Sequence, residues 1–198
     1  MKILGFIQNR NKTMDTHLNA ISAKVSMLLS KIRPAFPYLN EDTRKQIITL
    51  KVKSVALYGL QLVIGQSQSV IQRSSTILMR INRAMTSNLE GLRSTEALCN
   101  KLKIDQPRQE IIKSAFKFIH KIIEKKKPRH IIDKLKIPKR ITGRVYLKGG
   151  TKSVRANRSP INASVELYNA IPPNFRVLPH SKMKKKLKTV DIKYSLFK

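Results

Sequence analysis

The sequence predicts a mainly α chain, a helical bundle with a basic, partly irregular C-terminal extension. Three observations carry this. Apolar residues recur at i, i+3, i+4 and i+7 from residue 14 to about residue 127. Asparagine, serine and proline stand where helices should start or stop. Beyond Pro128 the periodicity fades while Lys and Arg accumulate.

Lys2-Ile3-Leu4-Gly5-Phe6-Ile7 reads as one short apolar strand with a glycine inside. So short a strand leaves its backbone N–H and C=O groups open unless a sheet takes them up. No partner strand is evident before the C-terminal third. Residues 1–7 are therefore expected to be the remnant strand of a neighbouring domain. Residues 8–127 are expected to form the helical domain, and 128–198 the basic extension.

The first helix is expected over Met14–Ile32. Leu18, Ile21, Val25, Leu28, Leu29 and Ile32 make its apolar stripe, Thr13 or Asp15 caps it, and Pro34 stops it. After a connector containing Pro34 and Pro37, Asn40 is a good N-cap, and Glu41 and Asp42 suit the positive end of a helix dipole. The second helix is expected to run on to Val63. Its apolar residues, from Ile47 to Val63, cover most of the circumference, which places it at the centre of a bundle. Gly59 falls inside it, at a propensity cost of roughly 1 kcal/mol relative to alanine.

A third helix is expected over Ser67–Leu89, with Val70, Ile71, Ile77, Leu78, Ile81 and Met85 facing inward and Arg73 and Arg80 flanking them. Ser94 caps a short helix holding Ala97, Leu98 and Leu102, and Pro107 suits the first turn of the next. That helix, Pro107–Lys127, shows Ile111, Ile112, Ala115, Phe118, Ile119, Ile122 and Ile123 on one face. Lys113, Lys117, Lys121 and Lys125 step by four along the other, drifting about 40° each time. Beyond it, Ile131–Leu135 suits one more helical turn. The Gly143, Gly149, Gly150 region suits a loop or a weak hairpin around Val145-Tyr146-Leu147, and Ser164–Ala170 suits a short helix before Pro172-Pro173.

The formal net charge is +30, with a pI near 10.8. Self-repulsion at that charge favours a polyanionic partner, and nucleic acid is the default. Residues 1–99 hold 14 Lys/Arg against 5 Asp/Glu, and residues 100–198 hold 27 against 6, so the excess is concentrated in the second half. No apolar run is long enough to span a bilayer, and the N-terminus lacks a signal peptide. With Cys99 the one cysteine, no intramolecular disulfide forms. A nuclear or cytoplasmic location follows, not a secreted one, and no membrane partner.

Catalytic motifs are missing. A two-metal nucleotidyl-transfer centre needs several converging carboxylates. The one adjacent pair, Glu41-Asp42, is explained by its place at a helix start. His17, His120, His130 and His180 match no zinc spacing with Cys99, which excludes a zinc knuckle or finger. No Gly-rich phosphate loop appears. His120 reads as a boundary or solvated side chain and Cys99 as a small core residue. No catalytic residue, metal ligand or cofactor is expected.

What remains is charge on helices, which neutralises phosphates without reading bases. The candidates are Lys24, Lys31, Lys51, Lys53, Arg73, Arg80, Arg83, Lys113, Lys117 and Lys121. The lysines from Lys182 to Lys188 suit equally a nuclear-import signal or a disordered arm. The chain has no Trp and few aromatics, so duplex backbone contact fits better than base stacking.

The order of these features resembles the segment just downstream of the polymerase active site in non-LTR (LINE-type) retrotransposon reverse transcriptases. Lys2-Ile3-Leu4-Gly5-Phe6 is similar to the family's K-x-L-G strand. His17-Leu18, running into Lys24-Val25, is similar to the start of its next helix. Lys45–Ile48 with Ser54-Val55-Ala56-Leu57-Tyr58-Gly59 resembles its S-V-x-x-Y-G helix. Met79-Arg80-Ile81-Asn82-Arg83-Ala84-Met85 resembles the helix that follows, and Leu167-Tyr168-Asn169-Ala170-Ile171-Pro172 a later Y-N-x-[IL]-P segment. The likeness implies a thumb-like bundle that grips an RNA–DNA or DNA duplex beside a palm domain. It implies a fragment of an RNA-directed DNA polymerase, such as a truncated genomic copy would encode, with no catalysis in isolation. The family's Tyr-x-Asp-Asp motif and endonuclease domain are not in this chain, and Leu62-Val63-Ile64 stands where the family often has a tryptophan. The competing expectations are a structural RNA-binding protein of ribonucleoprotein type and a helical module that binds acidic proteins.

Overall fold

The computed structural model of the chain describes residues 2–3, 6–7, 14–86, 94–138, 144–148, 159–187 and 192. It is mainly helical. Two compact units are present: Met1–Leu60 with Gln68–Arg108, and Gln61–Ser67 with Gln109–Lys198. The chain passes between the units at Leu60/Gln61, Ser67/Gln68 and Arg108/Gln109.

In the first unit, strand β1 (Lys2–Ile3) pairs antiparallel with β2 (Phe6–Ile7), Lys2 opposite Ile7 and Ile3 opposite Phe6. The single strand expected here is thus two, and they take up each other's hydrogen bonds. Helix α1 (Asp15–Ile32) buries Leu18, Ile21, Val25 and Leu29, as its stripe requires. Its N-cap is Met14, without a side-chain cap bond, and Thr13 lies outside the described residues. Pro34 does not end helical winding. The chain tightens into a 3-10 segment, Arg33–Tyr38, which tolerates prolines where a longer α-helix would not.

Asn40 caps α2 (Glu41–Ile47), its Oδ1 accepting from Thr43 N–H at 2.8 Å. The chain then widens into a π-helical stretch, Ile48–Lys53, and closes with α3 (Ser54–Leu57). The helix ends there, short of Val63, because Gly59 takes a left-handed φ of 76°. A side chain at that position clashes with its own backbone, so glycine serves as the terminator, not as a tolerated interior residue. Leu50 is 71 % exposed, so this run is not buried all round.

Helix α4 (Gln68–Ala84) packs against α1, burying Val70, Ile71, Ile77, Leu78 and Ile81. It stops before the predicted Leu89, which lies outside the described residues. Ser94 caps α5 (Thr95–Leu102), accepting from Ala97 N–H at 3.0 Å. Lys45 Nζ donates to the Leu102 carbonyl, closing the far end of that helix. Cys99 is buried as expected.

The second unit is built on α6 (Pro107–Lys125), whose proline starts the helix as predicted. Ile112, Ala115, Phe116 and Ile119 join a core with Leu135, Val145, Val165, Leu167, Tyr168, Phe175, Met183 and Leu187. Phe116, not Phe118, is the inward aromatic, stacked on Tyr168 with ring centroids 5.7 Å apart. The C-terminal third therefore carries its own apolar core. Each fully buried Leu, Ile or Phe contributes roughly 1.5–3 kcal/mol, which opposes the charge repulsion among the described residues of the second unit.

After α7 (Arg129–Ile132), strand β3 (Leu135–Lys136) pairs antiparallel with β4 (Tyr146–Leu147), so the weak hairpin is present as two residue pairs. Helix α8 (Pro160–Ala170) starts earlier than predicted, on a Ser159 cap. Asn169 clamps Val145, accepting from its N–H at 2.9 Å and donating to its carbonyl at 2.7 Å. Helices α9 (Pro173–Arg176) and α10 (His180–Lys186) follow. Lys182 to Lys186 are thus helical, held by buried Met183, and not a disordered arm. Lys188 and the glycines Gly143, Gly149 and Gly150 lie outside the described residues.

Candidate nucleic-acid interface

The predicted basic residues divide by burial. In the first unit, Lys24, Lys31, Lys51, Arg73, Arg80 and Arg83 are exposed. Lys53 is buried and cannot reach a phosphate in this arrangement. The π-helical stretch explains it. In an α-helix residue 53 stands about 140° round from Ile48, whereas an i→i+5 repeat brings it back over Ile48 on the inward face.

In the second unit, Lys121 is exposed, Lys117 is half-buried, and Lys113 is only 2 % exposed. The 40° drift of the lysine row accounts for this. On an ideal helix Lys113 lies about 20° from His120, at the edge of the buried arc.

Two of the exposed arginines are engaged within the first unit. Arg73 Nη1 pairs with Asp15 Oδ1 at 2.8 Å, and Nη2 donates to Asn19. Arg80 Nη1 donates to Ser26 Oγ at 2.8 Å, while Ser26 Oγ donates to the Ser22 carbonyl. Both clasp α4 to α1. The Arg73 charge is already matched by a carboxylate, so it is a weak phosphate contact.

Beside this clasp lies a groove of about 990 Å³. Arg33, Arg80, Arg83 and Arg108 line it, and among the described residues no Asp or Glu does. Four guanidinium groups converging on one groove favour a polyanion there. Thr76, Thr86 and Thr95 line the same walls, the Thr76 hydroxyl donating to the Gln72 carbonyl at 3.0 Å, as does Ser75, whose Oγ is screened from water and has no hydrogen-bond partner. Phe36 forms one rim. Buried Arg44 fixes it, lying 4.7 Å over the ring and donating from Nη2 to the Phe36 carbonyl at 2.6 Å.

Arg80 and Arg83 were legible as helix-flanking charges. Arg33 and Arg108 were not, because they sit at element junctions, one after α1 and one in the first turn of α6. No periodic signal marks such positions. Lys24, Lys31 and Lys51 do not line the groove.

Family models, curated proteins and solved structures contain no match to this chain.

Three histidines have pKa values held below the ordinary 6.5. Burial lowers His17, and a hydrogen bond to the Tyr58 backbone offsets this in part. Burial also lowers His120, against the pull of Glu124. His180 is lowered by burial and by Lys121, Lys184 and Lys125, with Glu124 opposing. His120 is 3 % exposed, so it is a core residue and not the boundary or solvated one its place in the sequence suggested. Among the described residues no helix is long and apolar enough to cross a membrane.

Proposed function

We propose that the chain binds the phosphate backbone of a primer–template duplex, as the thumb-like part of a non-LTR reverse transcriptase, with no catalysis of its own. The observation that carries this is the gathering of Arg33, Arg80, Arg83 and Arg108 along one groove. Guanidinium groups pair bidentately with phosphate oxygens. The motif order of the sequence supplies the polymerase context. Glu41 and Asp42 serve the first turn of α2.

Four phosphate contacts give a salt slope of about −3.6 in log K against log salt, or on the order of a hundredfold loss of affinity from 50 to 200 mM. A filter-binding titration with an RNA–DNA hybrid measures it. Affinity that hardly changes over that range rules out backbone neutralisation. Tighter binding to single-stranded RNA than to the hybrid points to a ribonucleoprotein-type role instead.

A further inference from the structure

We propose that His120, Glu124 and His180 form a site for one divalent transition-metal ion of the zinc class, which pins the basic helix His180–Lys186 to α6. One ligand atom from each, a ring nitrogen of either histidine and a carboxylate oxygen of Glu124, lie within 4.8 Å of one another. Zinc bonds of 2.0–2.2 Å in a tetrahedron put donors about 3.4 Å apart. Closing the gap falls to rotation of the half-buried His180 ring.

A second, independent observation points to a ligand. His120 is buried, and its Nδ1 has no hydrogen-bond partner; the Nδ1 of His180 is likewise screened from water and unpartnered. Buried polar atoms are almost always satisfied, so two such atoms in one cluster need an occupant. The two rings lie 5.8 Å apart, centroid to centroid.

The surroundings are those of a ligand set already oriented. His120 is hydrogen-bonded to the backbone carbonyls of Arg176 and Leu178. A ring held from one side while Nδ1 has no partner is the usual arrangement around a metal-bound histidine. Glu124 Oε1 accepts from the His180 backbone N–H at 2.9 Å, which fixes the carboxylate. Two imidazoles and one carboxylate select zinc, cobalt or nickel over magnesium or calcium. Three protein ligands leave a fourth position for water. Lys121, Lys125 and Lys184 act on His180 and oppose a cation, so the affinity falls short of a closed four-ligand site. His120 and Glu124 are four apart on one helix face, but His180 is 60 residues away. That distance is why no spacing motif announces the site.

The proposal is independent of duplex binding. Its test is titration of the full chain with Co²⁺, read by visible absorption, and with Zn²⁺, read by calorimetry. The expected result is one site, Co²⁺ displaced by Zn²⁺, and a tenfold or greater loss of affinity in both Glu124→Gln and His180→Ala. Cys99→Ser and His130→Ala are expected to bind as the unmodified chain does. Zinc is also expected to slow amide exchange over residues 180–186. No stoichiometric binding, undiminished binding by both Glu124→Gln and His180→Ala, or loss of binding in Cys99→Ser overturns the site. Unaltered exchange at 180–186 overturns the pinning.

Discussion

Arg83 is the most informative single residue of the groove. It is exposed in the last turn of α4, lines the arginine cluster and sits at the centre of the Asn82-Arg83 motif. Replacing it with glutamine removes one phosphate contact of four. The salt slope then falls from about −3.6 to about −2.7. The same relation sets the penalty at each salt concentration, about 15-fold (about 1.6 kcal/mol) at 50 mM and about fivefold (about 1 kcal/mol) at 150 mM. Because Arg83 is on the surface, folding stability is expected to shift by no more than about 0.5 kcal/mol. Arg73→Gln is the matched comparison. Its charge is balanced by Asp15 at 2.8 Å, so the slope is expected to stay near that of the unmodified chain. Fluorescence anisotropy with a labelled hybrid, titrated at five salt concentrations, reads both slopes. A penalty for Arg83→Gln that is constant across salt, or an equal slope change in Arg73→Gln, refutes the assignment of phosphate contacts to the groove.

Three further outcomes follow from the fold. His17 is buried with a pKa below the 6.5 it has when unfolded, so the unfolded chain binds more protons between those two values. Stability is therefore full above about pH 6.5 and falls as pH drops toward the folded value; urea midpoints from pH 8 to 5 should show that fall reduced in His17→Gln, and identical profiles contradict it. Gly59→Ala forces an alanine into a φ of 76° and is expected to destabilise by about 1–2 kcal/mol, seen as a lower melting temperature; an unchanged one contradicts the terminator role. Asn40→Ala removes the cap bond to Thr43 and is expected to cost about 1 kcal/mol, whereas Asn40→Asp should retain most of it.

The parts of the fold that were legible are those written in local chemistry. The stripe of α1, the Asn40 and Ser94 caps and the Pro107 start each depend on residues within a turn or two of one another. The parts that were not legible depend on distant residues or on a change of helical pitch. Nothing in Ile48–Lys53 distinguishes a π-helical stretch from an α-helical one, and that difference alone turned Lys53 inward. The pairing of Leu135-Lys136 with Tyr146-Leu147 rests on two residues a side, too few for an alternation pattern. The core around the C-terminal third joins the periodic face of α6 to apolar residues scattered from Leu135 to Ile192, which follow no single period. For the groove, helix-face spacing found Arg80 and Arg83 and missed Arg33 and Arg108.

The most direct measurement is crosslinking of the full chain to a photoreactive hybrid duplex, with the adducts located by mass spectrometry. Adducts on the peptides carrying Arg33, Arg80, Arg83 and Arg108 are the predicted result. Adducts confined to Lys182–Lys186, with the arginine peptides unmodified, contradict a grip centred on the groove.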